Sequence, residues 1–167
     1  MGIGAFLNRK QTTAYYWQLR KKANNTAFRP LRMLYRLRHR RYLEKSGSDI
    51  GLNAVFHGMP VFPHGFQGVF ISEGATIGKN CVIFQQVTIG SNMLPDSPRQ
   101  GSPTLGDNVY IGCGAKIIGN VHVGNNVRIG ANCVVTKDIP DNATVVLERP
   151  RVLLHEEARE NPFVSYQ

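Results

Sequence analysis

The feature that most constrains this chain is an aliphatic residue recurring at every sixth position from Ile71 to Val135. Ile71, Ile77, Ile83 and Ile89 keep the step, and after a break Leu105, Ile111, Ile117, Val123, Ile129 and Val135 resume it. Two positions before nine of these ten runs a series of smaller residues: Val69, Ala75, Cys81, Val87, Val109, Ala115, Val121, Val127 and Cys133. Glycine follows the large aliphatic at Gly78, Gly90, Gly106, Gly112, Gly124 and Gly130. An α-helix repeats its apolar face at about 3.6 residues and a strand at about 2. A step of six matches neither and marks an internal repeat.

The unit is a short strand followed by a turn, coiled so that the large aliphatic points inward and stacks on its equivalent. The smaller residue also points in, where little room is left. Glycine and the turns at Lys79-Asn80, Asp107-Asn108 and Asn125-Asn126 permit tight corners, because Gly and Asn tolerate positive φ. One such unit buries nothing by itself, and stacking creates the continuous core. A sandwich of short strands has no reason to hold this phase.

The pattern resembles that of the hexapeptide-repeat acyltransferases. The resemblance implies a mainly β fold, a left-handed parallel β-helix of triangular section with three hexapeptides per coil, and assembly as a homotrimer.

Charge divides the 167 residues unevenly. Residues 1–45 hold twelve of the twenty Lys and Arg and one acid, Glu44, so the net +9 resides there and the remainder is slightly acidic. Three segments are expected: a basic N-terminal helical segment over 1–45, the β-helix over 46–147 with a loop at 93–103, and a tail over 148–167. Residues 1–13 read as a loose terminus, Ala14 to Ala23 as a short helix, and Pro30 as the opening of a second. In that second helix Leu31, Leu34, Tyr35 and Tyr42 form one stripe for packing on the β-helix or a neighbouring subunit. Its arginines suit a solvated face, an anionic substrate or a membrane surface. No nucleic-acid reading motif accompanies the charge. No apolar run reaches membrane-spanning length and the N-terminus lacks an apolar signal segment, so the cytoplasm is the expected compartment. Cys81, Cys113 and Cys133 show neither a metal spacing nor a disulfide framework.

Asp49 to Gly68 is irregular, and Met93 to Gly101 must leave the coil as a loop because the sixteen-residue interval from Ile89 to Leu105 is not a multiple of six. After Val135 the coil is expected to stop, with a strand-like stretch at Ala143 to Leu147. Transfer of an acyl group to a hydroxyl requires a base, donors for the oxyanion and a groove for the cofactor. Histidine suits the base because it titrates near neutrality. Of His39, His57, His64, His122 and His155, the choice lies between His57 and His64.

Further motifs are similar to the serine acetyltransferases and their short relatives over roughly Asp49 to Val146. They are Asp49-Ile50 with His64 fifteen residues after Asp49, Gly68-Val69-Phe70-Ile71, Gln86-Val87-Thr88-Ile89-Gly90, the run Tyr110 to Gly119, and Val135-Thr136-Lys137-Asp138-Ile139-Pro140. The resemblance implies that His64 is the general base and Asp49 its carboxylate partner. It implies acetyl-CoA between neighbouring subunits, lined by Gly112, Gly114, Ala115 and Ala131, with Lys137 and Arg149 or Arg151 toward the phosphates. Gly90, Ser91 and Ser102 fall to the acceptor side, and no metal is implied. The chain departs from that family at Pro63, where an Asp precedes the catalytic His, and at Gly101-Ser102, which replace an Arg-His pair. Those losses favour a sugar hydroxyl of a surface polysaccharide as acceptor, with L-serine the alternative. A non-catalytic CoA-binding module is the reading from another class. A metal hydratase lacks the histidines, since only His64 and His122 lie in or beside the repeats.

Overall fold

The computed structural model describes residues 3–148, 152 and 154, with side chains from residue 13 onward. Two helices, α1 (Ile3–Asn25) and α2 (Arg29–Glu44), precede thirteen strands of two or three residues each. β1 (Asp49–Ile50), β3 (Phe70–Ile71), β6 (Thr88–Gly90), β9 (Lys116–Ile118) and β12 (Val134–Val135) form a first sheet. β2 (Val55–Phe56), β4 (Thr76–Ile77), β7 (Thr104–Leu105) and β10 (His122–Val123) form a second. β5 (Val82–Ile83), β8 (Tyr110–Ile111), β11 (Arg128–Ile129) and β13 (Thr144–Val145) form a third. All ladders are parallel. The chain passes from sheet to sheet in turn, so the three close a prism with the repeat aliphatics inside.

Register follows directly from the six-residue step. Ile71, Ile89, Ile117 and Val135 stack in the first sheet, and Ile77, Leu105 and Val123 in the second. Ile83, Ile111 and Ile129 stack in the third. All ten lie at 3 % exposure or less, as do the smaller inward residues Ala75, Ala115, Cys81 and Cys133. Burying each Ile or Leu is worth about 1.5–3 kcal/mol, and the column arrangement gives each one like neighbours above and below.

The prism is longer than the repeat pattern indicates. Ile50, Phe56 and Phe62 also step by six. β1 pairs with β3, β2 with β4, and Val61 bridges to Val82, so the stretch read as irregular is the first coil. At the other end the coil does not stop after Val135. β12 opens a fifth coil, Ile139 bridges to Val123 and β13 pairs with β11, and this last strand covers Thr144–Val145 rather than Ala143 to Leu147.

The helices close the first coil. Tyr16 and Leu43 are fully buried in the same apolar cluster as the repeat residues. The Tyr16 ring lies 4.5 Å from Phe66 and Trp17 stands edge-on to Phe56 at 5.0 Å. Arg20, almost fully buried, donates to the carbonyls of Gly51, Leu52 and Ala54 at 2.8–2.9 Å, satisfying backbone oxygens at the end of the stack. α1 therefore begins well before the expected Ala14, and residues 3–13 are helical rather than loose. The expected stripe on α2 is split. Tyr35 and Tyr42 are half-buried, whereas Leu31 and Leu34 face solvent, because His39 and Leu43 take the inner side.

The turn from second to third sheet is a repeated device. Asn80, Asn108, Asn126 and Asn142 all adopt positive φ near 55°, and their amides bond in series from Asn80 to Asn108 to Asn126 to Asn142 at 2.6–3.0 Å. Here Gly78 has no room for a side chain, since a Cβ would meet the Gly106 carbonyl oxygen at 2.2 Å. Backbone cannot retreat without breaking the ladder on both sides. Gly78→Ala is expected to lower stability by about 3 kcal/mol, read as a lower urea midpoint, while an Ala at the uncrowded Gly47 costs about 1 kcal/mol for its left-handed φ alone.

Candidate functional site

Two corners of the prism carry insertions. The turn from the third sheet to the first is regular at 84–87, 112–115 and 130–133, but between the first and second coils it lengthens by three residues to hold Pro63, His64 and Gly65. The turn from the first sheet to the second carries the 93–100 loop in the third coil.

At the first of these corners a column of left-handed residues, Gly68, Gln86, Gly114 and Asn132, ties each turn to the one before. Gln86, Gly114 and Asn132 donate their amides to the carbonyls of Gln67, Gln85 and Cys113 at 2.8–3.0 Å. A Cβ on Gly114 would meet the Asn132 side-chain oxygen at 2.0 Å, so a larger residue here must displace the Asn132 amide. The His64 loop closes on itself through the Gly65 amide and Phe62 carbonyl at 3.1 Å. The imidazole sits 5.7 Å from the Phe84 ring, which in turn lies 5.2 Å from Tyr110. It opens onto a cavity of about 440 Å³ lined also by Tyr42, Lys45, Ser46 and Gln67. On the same corner the Gln85 side-chain oxygen is buried without a hydrogen-bond partner among the described residues.

The sequence-derived residues separate into groups. Gly112, Gly114, Ala115 and Ala131 share the His64 corner, two to three coils along the prism. At about 4.8 Å per coil, that is a run of some 10–14 Å. The amides of Gly112, Gly114 and Ala115 are already donated to Ile129, Gln85 and Gly112 carbonyls, and the Ala115 methyl is buried in the core. Ala131 is exposed. Lys137 is exposed at the other inserted corner, away from these glycines, and Arg149 lies outside the described residues, as does Arg151.

Gly90, Ser91 and Ser102 gather at the root of the 93–100 loop. The Ser91 and Ser102 hydroxyls lie 2.7 Å apart, and the Asn92–Gly101 antiparallel bridge pinches the root. Arg99 holds the loop against the two following coils: its Nη1 donates to both Asp138 carboxylate oxygens at 2.8 and 2.9 Å and to the Asn120 carbonyl. The His122 backbone amide, foremost, and then Arg99 hold the Asp138 carboxyl below its usual range.

Asp49 is not brought to His64. It is exposed at the start of β1 and lines a separate cavity of about 570 Å³ with Arg36, Arg40 and Glu73. No hydrogen bond joins the two side chains among the described residues. Nor do those residues contain three or more His, Cys, Asp or Glu clustered as a metal site.

The repeat matches the model of the bacterial transferase hexapeptide family (six repeats) over residues 102–137. That stretch carries the repeat of the hexapeptide-repeat transferases. It is 42 % identical over 105 residues to a serine acetyltransferase of Synechococcus elongatus, covering 63 % of this chain and 42 % of that protein. It is 47 % identical over 101 residues to one from Staphylococcus aureus, covering 60 % and 43 %. Among solved structures, Neisseria gonorrhoeae serine acetyltransferase in complex with serine superposes with a TM-score of 0.67 at 30 % identity, covering 83 % of this chain and 56 % of that one. Entamoeba histolytica serine acetyltransferase isoform 3 in complex with cysteine gives 0.66 at 30 %, covering 87 % and 51 %. The chain thus spans less than half the length of these curated relatives and about half of the solved structures. The prism of this hexapeptide-repeat chain is the left-handed parallel β-helix expected from its motifs.

One polar cluster gave no sequence signal. His39, set aside as a residue of the basic helix, is buried, with its Nε2 3.3 Å from the Tyr16 hydroxyl, and Arg20 lies 3.4 Å from that same oxygen. Burial, and then the Arg20 charge, lower its pKa from 6.5 to about 4. Burial likewise raises Tyr16 to about 12. Because the unfolded chain takes up the His39 proton first, this histidine stabilises the fold above about pH 6.5 and that contribution is lost as pH falls toward 4. His39→Gln is expected to flatten the loss of thermal stability over that window, measured by melting temperature against pH.

Proposed function

We propose that this chain is an acetyl-CoA-dependent O-acetyltransferase whose acceptor is the hydroxyl of L-serine. The observation that carries the reading is the placement of His64 on the one corner it shares with Gly112, Gly114 and Ala131. The acceptor follows the names of the relatives, and it replaces the polysaccharide sugar expected from the sequence, which none of the proteins compared above supports.

In this reading His64 removes the hydroxyl proton as the oxygen attacks the thioester carbonyl. The tetrahedral oxyanion collapses, the C–S bond breaks, and the CoA thiolate takes the proton back from the imidazolium. Acetyl-CoA runs along the His64 corner past Gly112, Gly114 and Ala131. The buried, unpartnered Gln85 oxygen offers it an acceptor there. Asp49 serves as the carboxylate that orients His64 and stabilises its charged form. That role requires a shift of either side chain from the positions described above.

Gly90, Ser91 and Ser102 belong to the acceptor side, and Lys137 to the phosphates. All four sit on the other inserted corner, so the complete site requires that corner from a second copy. A homotrimer repeats one such contact around a closed threefold axis. Among the described residues no helix is long and apolar enough to cross a membrane.

A sugar acceptor remains the second reading because of Arg99. It is the arginine of the loop, and one of its guanidinium nitrogens, Nη1, is held by the Asp138 carboxylate, which competes with a substrate carboxylate for it. The two readings separate by thiol release from acetyl-CoA with L-serine and with a panel of sugars. Serine turnover is expected, falling by a factor of about 10²–10⁴ in His64→Ala. Turnover with a sugar alone would select the second reading. Protection of the fold by CoA with no turnover at all would leave a CoA-binding module.

A further inference from the structure

The outer face of α2 is unlike an ordinary solvated helix surface. Pro30, Met33, Leu34 and Leu37 recur at i, i+3, i+4 and i+7, which places them in one row along the helix. That row is exposed along its length: Met33 is 63 % exposed, Leu37 52 % and Leu34 41 %, Phe28 just before the helix is also exposed, and Met33 and Leu37 stand at the rim of the cavity that holds Asp49 and Glu73. At 3.6 residues per turn, Arg29, Arg36 and Arg40 flank the row on one side and Arg38 and Lys45 on the other, and Arg41 closes the row itself at its C-terminal end. The inner side is occupied by His39 and Leu43, so the exposed row is not a packing face turned inward elsewhere. Arg40 pairs with Glu44, and the other five arginines of the helix have no ion pair among the described residues. Where the helix starts, Arg29, Arg32 and Arg36 surround an open groove of about 670 Å³ whose apolar wall is Pro30 and Met33.

We propose that this face docks on an anionic phospholipid surface, with Met33, Leu34 and Leu37 entering the acyl boundary and the flanking arginines at headgroup phosphates. An apolar row between two rows of cations matches a layer that is apolar inside and anionic at its rim. A second copy of this helix would bring six arginines against six. A nucleic acid would satisfy the arginines but leave the apolar row against water. The groove at the helix start has the chemistry for one phosphodiester headgroup. The proposal is independent of the acceptor.

The test uses the full chain and sedimentation with vesicles of phosphatidylcholine, with or without phosphatidylglycerol. Binding is expected only with the anionic lipid and should weaken as salt rises. Arg29→Gln/Arg36→Gln/Arg41→Gln is expected to weaken it by about fivefold per charge. Met33→Asp/Leu37→Asp, both at exposed positions, should abolish it while leaving the circular dichroism spectrum unchanged. In Leu37→Trp the added fluorescence should shift to the blue on anionic vesicles. The proposal is overturned by equal binding to neutral vesicles, by no binding to either, or by binding that survives Met33→Asp/Leu37→Asp. It is also overturned if that double variant halves the mass of the assembly in sedimentation equilibrium, which would assign the face to a second copy. Tighter binding of a duplex oligonucleotide, competing the vesicles away, would assign it to nucleic acid.

Discussion

Everything in this molecule depends on the narrowness of its core. Each coil admits one large aliphatic per sheet and one small residue per corner, and each must sit on its equivalent in the coil before. A strand therefore cannot gain or lose a residue without putting an inward side chain outside. Corners have no such restriction. Insertions are confined to them, and the two that this chain carries, at Pro63-His64-Gly65 and at 93–100, are where its polar chemistry collects.

The same narrowness explains what could be read from the sequence. Ten Leu, Ile or Val at one phase disclose the stack, its register and the outward loop, because a six-residue period has few physical interpretations. Ile50, Phe56 and Phe62 are hidden from the repeat because two are aromatic and the nine-residue step to Ile71 breaks the phase. Ile139 is hidden because it follows Val135 by four residues. The helices were harder. Tyr16 and Arg20 meet the coil through contacts more than twenty residues apart in sequence, and no local pattern records such contacts. The exposed row on α2 shows the limit of periodicity, since spacing alone cannot say which of two apolar stripes turns inward.

The site residues divide for a related reason. Sequence motifs report which residues recur together, but not the corner on which each falls. Folding places His64 with Gly112, Gly114 and Ala131, and places Gly90, Ser91, Ser102 and Lys137 on a different edge of the prism. Asp49 and His64, fifteen residues apart, line separate cavities because β1, β2 and Val61 carry the chain round the three sheets of the first coil between them.

The aromatic and arginine cap also gives the stack a direction. A column of coils held by neighbour contacts loosens at whichever end has a neighbour on one side only. Here Tyr16, Leu43 and the Arg20 guanidinium supply the missing neighbour below Ile50. At the opposite end the fifth coil is β12, Ile139 and the two-residue β13, with no comparable aromatic and arginine cap among the described residues. On that contrast, local opening is expected to run inward from Val145 toward Ile129. The stack is then a zipper anchored at one end, and the His64 turn lies at the anchored end.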